Sequence, residues 1–103
     1  MERHWRERLE QALEASHKSK RSVSLAARCG AGYLHDVLSE GKEPTIDRLM
    51  RIADVLGVSL SWILYGIELK KPEEELLRAY ALLSERQKQA VLELTRSMAE
   101  DGG

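Results

Sequence analysis

Thr45 precedes the segment "IDRLMRIADVL" and Gly57 follows it; two residues on, Ser59 precedes "LSWILY" and Gly66 follows. This punctuation constrains the fold more than any other feature of the chain. A Ser or Thr oxygen accepts from the N–H groups left unpaired in a helix's first turn, and glycine readily takes the left-handed conformation that ends one. Ile46, Leu49, Met50, Ala53 and Leu56 return to one face of the first segment, as do Leu60, Ile63 and Leu64 in the second. Upstream, Trp5, Leu9, Ala12 and Leu13 predict a helix from about Arg3 to Ala15. Ser19 is the expected cap of a short helix reaching about Ala27, and another is expected from Gly30 to about Ser39. "EGKEP" reads as a loop, because Pro44 discourages helix in the residue before it. Nowhere do β-branched or aromatic residues alternate over a strand's length, so the chain is expected to be all-α.

A chain of 103 residues can hold one compact domain with a small appendage. "ELKKP" shifts the composition and reads as a hinge. The expected division is a first domain over residues 1–68, a linker over 69–72 and a C-terminal helical extension over 73–103. In the extension, Glu73, Glu74 and Glu75 suit a helix N-terminus, where the backbone dipole favours negative charge. Ser84 and Gln87 have capping-box spacing and predict a second helix, and the final "DGG" is expected to fray. One helix carries Leu76, Leu77, Tyr80 and Leu83 in a stripe; the other carries Val91, Leu94, Thr95 and Met98. Exposed apolar patches of that size are rare on monomers, so these stripes either fold back on their own domain or meet a second chain. The second is the expectation, with Leu76, Leu77, Tyr80, Leu83, Val91, Leu94 and Met98 as the seam of a homodimer.

Several classes of function find no support. The single cysteine, Cys29, allows no disulfide within the chain. The longest apolar stretch, Leu56 to Ile67, is interrupted by Gly57, Ser59, Ser61 and Gly66, and no membrane partner is expected. "MERHWRERLE" has no apolar signal core, which together with the lone thiol predicts a cytoplasmic protein. His4, His17, His35 and Cys29 show no metal-ligand spacing. Gly30 and Gly32 follow no strand and precede no Gly-Lys-Ser/Thr, so they make no phosphate-binding loop. There is no nucleophile–base pair, catalytic carboxylate pair or cofactor motif; neither an enzyme nor a cofactor is expected. Trp62 and Tyr65 read as core and rim.

"VSLAARCGAGYLHDVL", Val23 to Leu38, meets a stricter demand. Two helices joined by a tight turn need apolar side chains at fixed places on both and in the turn. Val23 and Ala27 face inward from the first, Cys29 plugs the turn, and Leu34 and Val37 face back from the second; Ser24 is small enough for close approach. A rival register, with Leu25 and Ala26 inward, would bury Asp36 unpaired and is excluded by that cost. With "GKEPTIDRLMRIADVLGVSLSWILYG", Gly41 to Gly66, this pattern resembles the phage Cro/repressor-type (XRE-like) helix-turn-helix family over residues 6 to 66. The resemblance implies a five-helix domain that binds operator DNA, usually as a dimer, and regulates transcription. One departure stands out. Arg28 lies where the family often has glycine, so either this position avoids the left-handed region or the chain bears strain of about 1 kcal/mol there.

The resemblance also implies a reading surface. The start of the second helix meets base edges, which places Ala31, Gly32, His35, Asp36 and Ser39 as base readers. Lys20, Arg21, Arg28, Lys42, the Tyr33 hydroxyl and the Gly30 backbone are the expected phosphate contacts. Residues 1–51 hold ten Lys/Arg against eight Asp/Glu, and residues 52–103 six against nine, so the reading half is weakly basic within a chain of net charge −1. Neither a self-cleaving protease domain nor a ligand domain is expected, and control is expected to come from concentration, a regulatory partner protein or an effector. The same fold also suits a protein-interaction module, an antitoxin or antirepressor with weak or no DNA binding. The net negative charge and "GAG" favour that alternative.

Overall fold

In the computed structural model, which describes residues 4–102, the chain folds into seven helices: α1 (Trp5–Ser16), α2 (Lys20–Ala26), α3 (Tyr33–Ser39), α4 (Ile46–Leu56), α5 (Leu60–Tyr65), α6 (Lys71–Ala81) and α7 (Glu85–Gly102). Among the described residues there is no strand. The side-chain caps form as the local chemistry requires. Ser19 accepts from the Ser22 N–H at 3.0 Å, Thr45 from Arg48 at 3.3 Å and Ser59 from Trp62 at 3.1 Å. Gly57 and Gly66 both end their helices at φ 72°. Ser84 and Gln87 cap each other's backbone N–H groups at the start of α7.

One core serves the first five helices. Trp5, Leu9 and Leu13 of α1 meet Val23 and Ala27, then Leu34 and Val37 of α3, Leu49, Ile52 and Ala53 of α4, and Leu60, Ile63 and Leu64 of α5. Leu25 is half exposed, as the chosen register requires. Cys29 is only half-buried but packs against this core, and Trp62 does the same. Short helices leave many end groups unpaired. Arg8 of α1 supplies donors for the carbonyl end of α5, reaching Ile63 O at 2.8 Å and Leu64 O at 2.9 Å.

Element boundaries differ from the sequence expectation in four places. The expected first residue of α1, Arg3, lies outside the described residues, and the helix begins at Trp5. α3 starts at Tyr33 rather than Gly30, because Gly30 sits at φ 87° and cannot continue or begin a right-handed helix. α6 starts at Lys71, inside the expected hinge, because Pro72 suits the first turn of a helix. α7 stays helical through Gly102 where fraying was expected, since no proline or glycine interrupts residues 85–101; Gly103 lies outside the described residues.

α6 docks on the five-helix body through α5, whereas α7 projects from it. The molecule measures 49 × 25 × 23 Å with a radius of gyration of 15.5 Å. A compact domain of this length has a radius near 13 Å.

Candidate nucleic-acid interface

The turn between α2 and α3 is built by backbone hydrogen bonds that wrap the end of α2. Cys29 N–H reaches Ser24 O at 2.9 Å, and Arg28 N–H reaches Leu25 O at 3.0 Å. This double closure places the residue after the cap in the left-handed region. That residue is Arg28, at φ 60°. Of the two ways this arginine could be accommodated, the chain takes the strained one, at about 1–2 kcal/mol for a residue with a Cβ.

Ser24 does more than permit close approach. It is fully buried; its hydroxyl donates to Lys20 O at 2.6 Å and accepts from the Leu34 N–H at 3.1 Å. Gly32, at the cap position of α3, has no side chain to offer. A serine on α2 therefore caps α3 from across the turn and fixes the two helices together.

Two arginines hold this unit from outside. Arg51 of α4 donates to Ala27 O at 2.8 Å, pairs with Asp47 and approaches Cys29 Sγ at 4.0 Å. Burial pulls the Arg51 guanidinium down, but the hydrogen bond and charge of Asp47, with smaller help from Cys29, leave it above its ordinary value. Arg6 of α1 donates to Val37 O at 3.1 Å, Gly41 O at 3.1 Å and Lys42 O at 3.0 Å while stacking over Trp5 at 4.4 Å. It therefore secures both the carbonyl end of α3 and the loop beyond.

Leu34 and Val37 turn inward, which sets the opposite face of α3 outward. His35, Ser39 and Gly32 are exposed there, and Ala31 and Asp36 are half-exposed. His35 Nε2 lies 3.5 Å from Glu40 Oε1. Lys20 Nζ lies 3.2 Å from Ser39 Oγ, joining an expected phosphate contact to an expected base reader. Arg21, Arg28, Gly30 and Lys42 are all exposed. Tyr33 is placed differently from the expected backbone-reaching residue. It is buried, and its hydroxyl accepts from the Thr45 N–H at 3.2 Å, tying the loop to α3. Lys42 Nζ lies 5.0 Å from the Tyr33 ring centre and the Arg48 guanidinium 5.6 Å. Arg48 thus joins Lys42 at the entrance of α4, a cation the sequence reading missed because the pair is gathered by a ring fifteen residues away.

The expected seam divides. Leu76, Leu94 and Met98 are exposed by 61–63%, with Leu82 also exposed, whereas Leu77, Tyr80, Leu83 and Val91 are half-buried. Leu76, Leu77, Tyr80, Val91, Leu92 and Thr95 line an open, almost wholly apolar groove of about 280 Å³ between α6 and α7. α6 also faces its own body: Leu77, Tyr80 and Ala81 lie beside Ile46 and Leu64. Part of the stripe is therefore satisfied within the chain, because α6 follows α5 after a short connection and lies back on it.

Two short helices joined by a tight turn, the second capped from the first and sealed on one face by a five-helix core, make a helix-turn-helix. The family model described as helix-turn-helix matches residues 9–63, and the chain belongs to this Cro/repressor-type (XRE) family of DNA-binding transcriptional regulators. No curated protein and no solved structure matches the chain. No helix among the described residues is long and apolar enough to cross a membrane.

Proposed function

We propose that the chain is a phage-like repressor that binds a palindromic operator as a homodimer. α3 enters the major groove of double-stranded DNA. Ala31 and Gly32 allow close approach, and His35, Asp36 and Ser39 meet base edges. Lys20, Arg21, Arg28, Lys42 and Arg48, with the Gly30 backbone, contact phosphates; Tyr33 holds the loop that presents Lys42. The observation that carries this reading is the arrangement around α3. Its apolar face is sealed by the core, while Lys20 stands at Ser39 on its exposed side and Lys42 and Arg48 gather beside it around the buried Tyr33 ring. The exposed Leu76, Leu94 and Met98 beside an apolar groove support the two-fold contact. Such a dimer sets its two α3 helices about 34 Å apart, one turn of DNA.

Selection of bound sites from a random duplex pool, with sedimentation of the free protein, tests the proposal. The expected result is a dimer that selects inverted repeats with centres one helical turn, or a multiple of it, apart. A second reading, an interaction module with little DNA affinity, is favoured by the internal use of Arg6, Arg8 and Arg51, which takes three cations of the basic half away from any ligand. A gel shift on random duplex separates the two. Binding that weakens steeply with salt supports the first, and no shift at low salt supports the second.

A further inference from the structure

α6 is fastened to the body by a polar latch as well as by Leu77 and Ala81. Glu74 turns one carboxylate oxygen, Oε1, onto two consecutive N–H groups in the first turn of α5, Leu60 at 2.8 Å and Ser61 at 3.3 Å. Arg78, one turn along, lies 3.7 Å from the same oxygen and donates to Asp54 Oδ1 of α4 at 2.8 Å. The hydrogen bond Arg78 donates to Asp54, which outweighs desolvation, holds the Arg78 guanidinium above its ordinary value. The second Glu74 oxygen, Oε2, is buried with no partner. A half-satisfied buried carboxylate is a poor way to gain stability. It is a good way to fix an angle, because apolar contact is non-directional whereas these bonds hold α6 to both α5 and α4.

The angle matters because of what lies at each end. Away from the latch, α6 carries Leu76 and Tyr80 of the apolar groove. α4 carries Arg51, which grips the α2–α3 turn, and begins after Thr45, which is tied to Tyr33 of α3. A continuous set of directional contacts therefore runs from the groove to α3. We propose that Glu74 and Arg78 are positioning residues for operator spacing: by fixing the α6–α7 arm on α4 and α5, they fix the separation and rotation of the two α3 helices in the dimer. This rests on the homodimer reading above. Each base pair inserted between half-sites moves the second by about 3.4 Å and turns it by roughly 35°. A rigid arm tolerates little of that; a loosened arm spreads its effective concentration over several spacings.

The test titrates full-length wild type, Glu74→Ala and Asp54→Ala against the palindrome selected by the wild type, against versions with half-sites moved by one and two base pairs, and against a single half-site. Asp54→Ala removes the acceptor of Arg78 from the exposed α4 side and keeps the experiment decisive if Glu74→Ala does not fold. The wild type should lose at least about tenfold in affinity at two base pairs, and the variants about threefold or less, with single half-site affinity and sedimentation unchanged. A folded variant that keeps the full tenfold discrimination overturns the proposal alone. A wild type that sediments as a monomer, or selects single half-sites, overturns the dimer reading and this inference with it.

Discussion

Leu49 of α4 and Leu94 of α7 sit on apolar stripes of the same helical period. Leu49 has no exposed surface, and Leu94 keeps 61% of its own. The contrast extends to the regions around them. Every buried residue among those described lies between Trp5 and Leu64, and neither α6 nor α7 buries one. In the body, five short helices return on one another after tight connections, so every stripe reaches one shared core. In the arm, α7 runs 18 residues, about 27 Å, after a three-residue connection and meets only part of α6. A stripe states that a face requires burial; whether the chain can bring a partner to that face is a separate matter.

The sharpest way to break the comparison is to cut the same side chain from both regions. Leu34→Ala should open a cavity in the body and cost about 2–5 kcal/mol in urea unfolding. Leu94→Ala, read at concentrations where the chain is monomeric, should change stability by less than about 0.5 kcal/mol. If the two variants unfold alike, α7 is packed in solution in a way its exposed face does not suggest. Ending the chain after Leu83 removes α7 but keeps α6 on its latch. The shortened protein should remain folded by circular dichroism, sediment as a monomer and bind the selected palindrome at least about tenfold more weakly. A dimer that survives would move the interface into the first six helices.

Within the body, Ser24→Ala sharpens the comparison between size and hydrogen bonding at the α2–α3 contact. Alanine still fits, but the buried Leu34 N–H loses its acceptor, at about 1–3 kcal/mol. Equal stability of the variant and wild type would return Ser24 to a role of size alone. The smallest effect, and the most divided, belongs to Arg28→Gly. Relief of the left-handed strain should raise stability by about 1 kcal/mol. Loss of the cation should lower the slope of log affinity against log salt by about one unit. A variant that gains stability with an unchanged slope would remove Arg28 from the phosphate contacts.

Helix existence and most helix ends were legible because their causes are local. A hydroxyl three residues from an N–H, a glycine after the last apolar position and a stripe of period 3.6 all lie within one window of sequence. The inward set of the helix-turn-helix was equally legible: Val23, Ala27, Leu34 and Val37 are buried, and the rejected register fails on the exposure of Leu25. The start of α3 was misplaced because "GAG" permits either helix or turn, and the choice follows from how the end of α2 is closed by its own backbone.

The sequence by itself determined an all-helical chain and the residues that pack the turn. Only the tertiary structure decided which charges are available to a partner. Arg6 meets Val37 across 31 residues, Arg51 meets Ala27 across 24 and Glu74 meets Leu60 across 14. Composition reports the sign of such a side chain, but its partner depends on the path of the whole chain. The same holds for Tyr33, whose hydroxyl was free to reach DNA on paper and is taken by Thr45 in the fold. Side chains of one helix are related by a fixed rotation along the chain; side chains of different helices are related only after the core has formed, when burial has set the distances between them.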